Sequence, residues 1–229
     1  MKHLKRHINI AINKEYIEIQ KYAFRKYKIK TVENKHTHLV PEELEQLERL
    51  NLTDKHMKLQ KSLDAFLFCC YAGMRYSDFT NLSKKNIVDI NQETWLIYKS
   101  VKTGTEVRLP LYLLFAGKGI VILNKYCNNL EDFFRLRDNS NINKDLIIIA
   151  KLAGLSKKIS FHTARHTNAT LLIYNGVNIT TVQKLLGHKS VKTTQVYTNI
   201  MDMTIVHDLE KIKQAALGIK KKTDNSFNK

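Results

Sequence analysis

The chain is poor in cysteine, in acidic side chains and in long apolar runs, and each shortage narrows what it can be. It has three cysteines in 229 residues, Cys69, Cys70 and Cys127. Their number is odd and none forms a C-x-x-C pair, which argues against a disulfide framework and fits a reducing, cytoplasmic setting. No stretch approaches the ~20 apolar residues of a membrane span. The opening Met1-Lys2-His3-Leu4-Lys5-Arg6 is basic but lacks the apolar segment of a secretory signal. Acidic residues are the largest deficit: Asp+Glu 21 against Lys+Arg 38 gives a formal net charge of +17. Such an excess suits a polyanionic partner, with nucleic acid favoured over a solvated basic surface or acidic lipid.

A 43% hydrophobic content supplies a real core, and the length suits one large domain or one domain plus a fragment. Residues 1–30 carry nine Lys/Arg against two Glu, with an imperfect helical stripe of isoleucines. They read as a basic helix, followed by a charged linker from Lys28 to Thr37. Pro41 suits the first turn of a new helix whose buried side is Leu44, Leu47 and Leu50, although Val40 is a poor N-cap. Leu59, Leu63, Phe66, Leu67 and Cys70 follow the helical period over 57–72, and Ala72-Gly73 should end that helix just before Arg75. Trp95 to Ser100 and Glu106 to Leu111 look like two strands. Val101-Lys102-Thr103-Gly104-Thr105 between them is a hairpin signal, so Lys102 belongs at a β-turn. Helices are then expected around 142–153, 162–174, 179–186, 191–199 and 203–217, with stops at Gly154, Asn175-Gly176 and Gly187. The residues from Lys220 read as a basic tail. The expected fold is mainly α with a small antiparallel β-sheet.

Five elements carry chemistry: Arg75, Lys102, the run His162-Thr163-Ala164-Arg165, His188 and Tyr197. Two guanidiniums, an ammonium and two imidazoles can hold a phosphodiester and neutralise charge growing on it, and a phenol can attack it. His162 and Arg165 share a helix face. Taken alone, H-x-x-R is more often a solvated pair. A rival is metal binding by His162 and His166, four apart, but the zinc-protease motif needs Glu where Thr163 stands. No cysteine or carboxylate cluster accompanies them, so His166 is read as a packed or capping residue. Tyr197 is one of ten tyrosines, and only its setting on a short helix after Gly187-His188 raises it. A free phenol is ~0.1% ionised at neutral pH, and a field from these cations should favour the phenolate.

Leu185-Leu186-Gly187-His188 through Tyr197 closely resembles the nucleophile segment of the tyrosine recombinases, the phage integrase family. Phe161-His162-Thr163-Ala164-Arg165-His166-Thr167 resembles that family's second arginine box. Ala72-Gly73-Met74-Arg75-Tyr76-Ser77-Asp78 resembles the first, and Lys102-Thr103-Gly104 stands where the family places a lysine hairpin. The similarity runs from about Val40 to Asn199, in the style of integrases from bacterial mobile elements. The resemblance implies the following roles. Tyr197 attacks the scissile phosphate, forms a 3′-phosphotyrosine link and frees a 5′-hydroxyl. Arg75 and Arg165 clamp the non-bridging oxygens, His188 donates to one of them, and His162 assists proton transfer. Lys102 protonates the leaving oxygen and Asp78 braces Arg75.

It further implies a site-specific recombinase acting on double-stranded DNA as a homotetramer, without cofactor or metal. Accessory DNA-bending proteins and a location on the bacterial nucleoid go with it. Residues 1–36 are expected to be the remnant of an N-terminal core-binding domain, and 37–229 the catalytic domain. In many relatives C-terminal segments dock on neighbours, which makes the Met203 to Leu217 helix a candidate for such docking, or for closing its own domain. The rivals are a type IB topoisomerase and a non-catalytic DNA-binding protein on the same fold.

Overall fold

The structure, a computed structural model, describes residues 2–24 and 37–197. They belong to two compact units that divide near residue 35. In the first unit a basic helix α1 (Lys2–Asn13) is followed by a single 3₁₀ turn, Ile19–Lys21. The expected linker from Lys28, the helix at 203–217 and the basic tail lie outside the described residues. Among the described residues, no helix is long and apolar enough to cross a membrane.

The second unit is helical with one small sheet. Its helices α2 (Pro41–Glu48), α3 (Gln60–Ala72) and the single turn α4 (Tyr76–Phe79) precede the strands. Val40 makes no side-chain cap, and Glu43 reaches back to accept the Val40 N–H at 3.0 Å. Helix α3 is the axis of the unit. From Ser62 to Ala72 every residue is buried, including the consecutive Cys69 and Cys70, so it is covered on all sides rather than on one stripe. The polar residues it carries inward are paired. Asp64 accepts from Lys125 at 2.9 Å and from the Tyr126 hydroxyl at 2.8 Å, and the Ser62 hydroxyl donates to Asp145 at 2.6 Å.

The sheet has three antiparallel strands in the order β1 (Ile87–Ile90), β2 (Glu93–Lys99) and β3 (Glu106–Pro110). Leu96 pairs with Leu109 and Tyr98 with Val107, and these four turn inward while their neighbours face out. Strand β1 was not expected. Its turn to β2 is made by Asn91 and Gln92, both at positive φ (53° and 66°), without the glycine that marks such turns in a sequence.

Helices α5 (Lys118–Lys125), α6 (Leu130–Phe134) and α7 (Asn139–Leu152) wrap the far side of α3. Then come α8 (Phe161–Tyr174), α9 (Ile179–Leu186) and the single turn α10 (Lys192–Gln195). Helix α8 is buried almost throughout and packs along α3. Its first turn closes by a reciprocal cap in which Thr163 accepts the Ser160 N–H at 3.0 Å.

Candidate active site

Helix α3 ends at Gly73, whose φ of +66° is the left-handed cap that lets the chain turn sharply into Arg75. Helix α8 fixes this end with two side chains. Asn168 donates to the Cys70 and Tyr71 carbonyls at 2.9 and 3.0 Å, and Arg165 donates to the Gly73 carbonyl at 2.7 Å. Arg165 also donates to the Leu186 carbonyl at 2.6 Å, at the end of α9. One guanidinium thereby ties together the three segments that carry Arg75, itself and His188. It is 1% exposed. Burial, with the charge of Arg75 nearby, brings its pKa down to about 10, which leaves it cationic at neutral pH.

Asp78 joins the first arginine to the hairpin. Its carboxylate lies 3.5 Å from the Arg75 guanidinium, accepts the Val101 N–H at 2.8 Å and takes the Ser100 hydroxyl at 3.3 Å. Ser100 in turn accepts from Arg75 at 3.3 Å. On the other side of the turn, the Thr103 hydroxyl donates to the Gly187 carbonyl at 3.2 Å. Lys102 lies between these two anchors. Its backbone is held from both flanks while its side chain stays exposed. A long cationic side chain on a pinned turn can swing its ammonium without losing its base.

His188 follows Gly187, which ends α9 at φ +63°. Its Nδ1 lies 2.9 Å from the hydroxyl of Thr194, a residue of α10 that is 0% exposed. With Thr194 donating there, the Nε2–H is left as a donor to a ligand. Burial, then the positive charges of Arg165 and Arg75, then His162 and Lys102, depress the His188 pKa to about 3. At neutral pH the ring is therefore uncharged.

Tyr197 follows α10 and is 4% exposed. Arg165 and Arg75 both pull its pKa down, but burial outweighs them and the net shift is upward. This corrects the expectation that the cationic field would favour the phenolate: in this arrangement desolvation of the charged form wins, and the phenol stays protonated. The Tyr197 hydroxyl lies 3.0 Å from Nδ1 of His166, which is buried at 7% exposure. The His166 ring meets that of His162 edge-on, 4.4 Å between centroids, and His162 is exposed at the start of α8.

The structure thus gathers Arg75, Lys102, His162, Arg165, His188 and Tyr197 into one place, with Asp78 beneath Arg75. Sequence reasoning missed Ser100, Thr103, Asn168 and Thr194, which orient the others. It also read His166 only as packed or capping. The available signal is the position of His166 four residues after His162, a spacing that equally suits a metal pair. Among the described residues, no group of three or more His, Cys, Asp or Glu is placed to hold a metal ion.

Residues 38–203 match the model of the phage integrase family. Tyrosine recombinase XerC of Rickettsia prowazekii (strain Madrid E) is 30% identical over 159 residues, 66% of this chain and 49% of that protein. A tyrosine recombinase of Pseudothermotoga lettingae is 30% identical over 185 residues, 77% of this chain and 60% of that protein. The chain therefore spans about half the length of the first of these curated relatives and 60% of the second. Among solved structures, a lambda integrase tetramer bound to a Holliday junction has the same fold, with a TM-score of 0.65 at 19% identity, covering 85% of this chain and 56% of that one.

Proposed function

The chain belongs to the phage integrase family of tyrosine recombinases, and from that premise we propose that it is a site-specific DNA recombinase or integrase whose nucleophile is Tyr197. The Tyr197 oxygen attacks phosphorus and the bond from phosphorus to the 5′-oxygen breaks. The products are a 3′-phosphotyrosine and a free 5′-hydroxyl, and the reverse step rejoins strands. The phosphodiester bond energy is kept in the covalent link.

The observation that carries this reading is that the buried Arg165, bonded to the Gly73 and Leu186 carbonyls, ties together the segments that carry Arg75 and His188, with both guanidiniums near enough to Tyr197 to act on its phenol. A phosphate entering beside them would meet two guanidiniums able to donate to its non-bridging oxygens. The neutral His188 would donate a further hydrogen bond. The exposed Lys102 would give its proton to the leaving 5′-oxygen, and His162 would assist proton transfer at the mouth of the site. Each preorganised donor of this kind is worth on the order of 10²–10³ in rate. Double-stranded DNA as partner is supported by the +17 charge and by the fold shared with an integrase that binds a Holliday junction. That integrase binds the junction as a tetramer, and we extend the same assembly to this chain.

A suicide substrate, nicked close to the cleavage point so that the released fragment diffuses away, tests the reading. The wild-type chain should accumulate a covalent protein–DNA adduct and Tyr197→Phe should form none. An adduct that persists in Tyr197→Phe would remove Tyr197 as nucleophile.

A further inference from the structure

We infer that His166 is the group that takes the proton from the Tyr197 hydroxyl as the phenol attacks, an inference that rests on the strand-transfer reading above. A buried phenol needs an acceptor close by, because its anion is poorly solvated there and water has little access. The candidates in the site differ sharply in what they can accept. Arg75 and Arg165 are donors only, and Lys102 as an ammonium is a donor as well. Nδ1 of His188 is engaged with Thr194. His166 remains, with its Nδ1 at 3.0 Å from the phenol oxygen, inside the 2.6–3.2 Å reach a general base requires. Both partners are buried, at 7% and 4% exposure, so the contact is shielded from solvent. The family resemblance gives proton transfer to His162, but that residue is exposed, and its ring meets the His166 ring edge-on.

The step balances without a co-reactant. The proton passes from Oη to Nδ1 of His166 in the tautomer that carries its own hydrogen on Nε2. The new bond forms between Oη and phosphorus, and the bond to the 5′-oxygen breaks. That oxygen takes a proton from the Lys102 ammonium. On rejoining, the 5′-hydroxyl returns its proton to Lys102 and His166 returns the other to the phenol. The two guanidiniums hold the phenolate character that develops between these moments.

Single-turnover cleavage of the nicked suicide substrate by the full chain tests this. His166→Gln keeps a hydrogen-bonding side chain of similar size but cannot take up the proton. It and His166→Ala should both cleave slower by on the order of 10²–10⁴, with DNA affinity unchanged. Added imidazole should restore cleavage to His166→Ala and not to Tyr197→Phe. A 5′-phosphorothiolate substrate, whose sulfur leaves without protonation, should rescue Lys102→Ala and leave the His166→Ala defect in place. A wild-type rate in His166→Gln would overturn the inference. So would the absence of imidazole rescue in a folded His166→Ala. Faster cleavage in either variant would also overturn it and would make the contact a resting latch. If His166→Ala does not fold, the rate of His166→Gln decides. Adduct formation by the wild-type chain, lost in Tyr197→Phe, establishes the underlying reading whichever way His166 falls.

Discussion

His188 sits behind a surface that leaves it 8% exposed and beside four cationic or titratable groups, Arg165, Arg75, His162 and Lys102. Its folded pKa of about 3 against an unfolded value of ~6.5 has a consequence for stability. Between those limits the unfolded chain binds a proton that the folded chain refuses. Stability conferred by the neutral ring is therefore complete above pH ~6.5 and is lost as pH falls toward 3. Denaturant melts between pH 7 and 4 should show a steeper loss of stability for the wild type than for His188→Gln. Equal slopes would mean that the ring is solvated in the folded chain. At this same scale the sequence was legible for charge and poorly legible for direction. Arg75, Arg165 and His188 stand out as candidate phosphate ligands. That Arg165 is anchored on the Gly73 and Leu186 carbonyls, or His188 on Thr194, depends on partners 92, 21 and 6 positions away.

At the scale of elements, two left-handed glycines fix where the functional side chains emerge. Gly187 ends α9 and hands the chain to His188, and a Cβ there would lie 2.6 Å from Cγ2 of Val107 on β3. Gly187→Ala combines this overlap with a strained φ of +63°, a conformation that costs a non-glycine residue on the order of 1–3 kcal/mol. Thermal unfolding should show that loss, and strand cleavage should fall further than stability does, because Thr103 and with it the Lys102 turn hang on the Gly187 carbonyl. A variant that melts like wild type and cleaves normally would show that the cap does not position the site. The sequence marked these stops well, since a glycine after an apolar period is a local signal. It marked β1 badly, because Asn91-Gln92 closes its hairpin without glycine, and it passed over α5 and α6 altogether. These are short helices, eight and five residues, held by packing against α3 and by the aromatic cluster of Phe68, Phe79 and Phe133 rather than by a long periodic face.

For the molecule as a whole, the excess of 38 basic over 21 acidic residues makes phosphate neutralisation the expected main source of affinity if the proposed partner is DNA. The logarithm of the binding constant should fall linearly with the logarithm of salt concentration, with a slope of about −0.9 per phosphate contacted. Titrations of a labelled duplex across a salt series give that slope directly. A flat response would count against nucleic acid as the partner. Tyr197 is 4% exposed and Arg165 1% exposed, so under the proposed function the phosphate has to reach a buried pair.

The sequence by itself determined which groups are present, in what order, and on which kind of element each stands. Those features are set by local propensity, by glycine and proline chemistry and by side-chain type, all of which act over a few residues. It also determined the sign of the chain's own charge, because net charge needs no fold. Only the tertiary structure decided the protonation of the site and the neighbours of Tyr197. Desolvation overrides the cationic field on Tyr197 because burial depends on what packs around a side chain, not on the residues beside it in the chain. The meeting of His166 with Tyr197, 31 positions apart, exists because α8 packs against the end of α9, where Arg165 holds the Leu186 carbonyl, and the α10 turn follows from there.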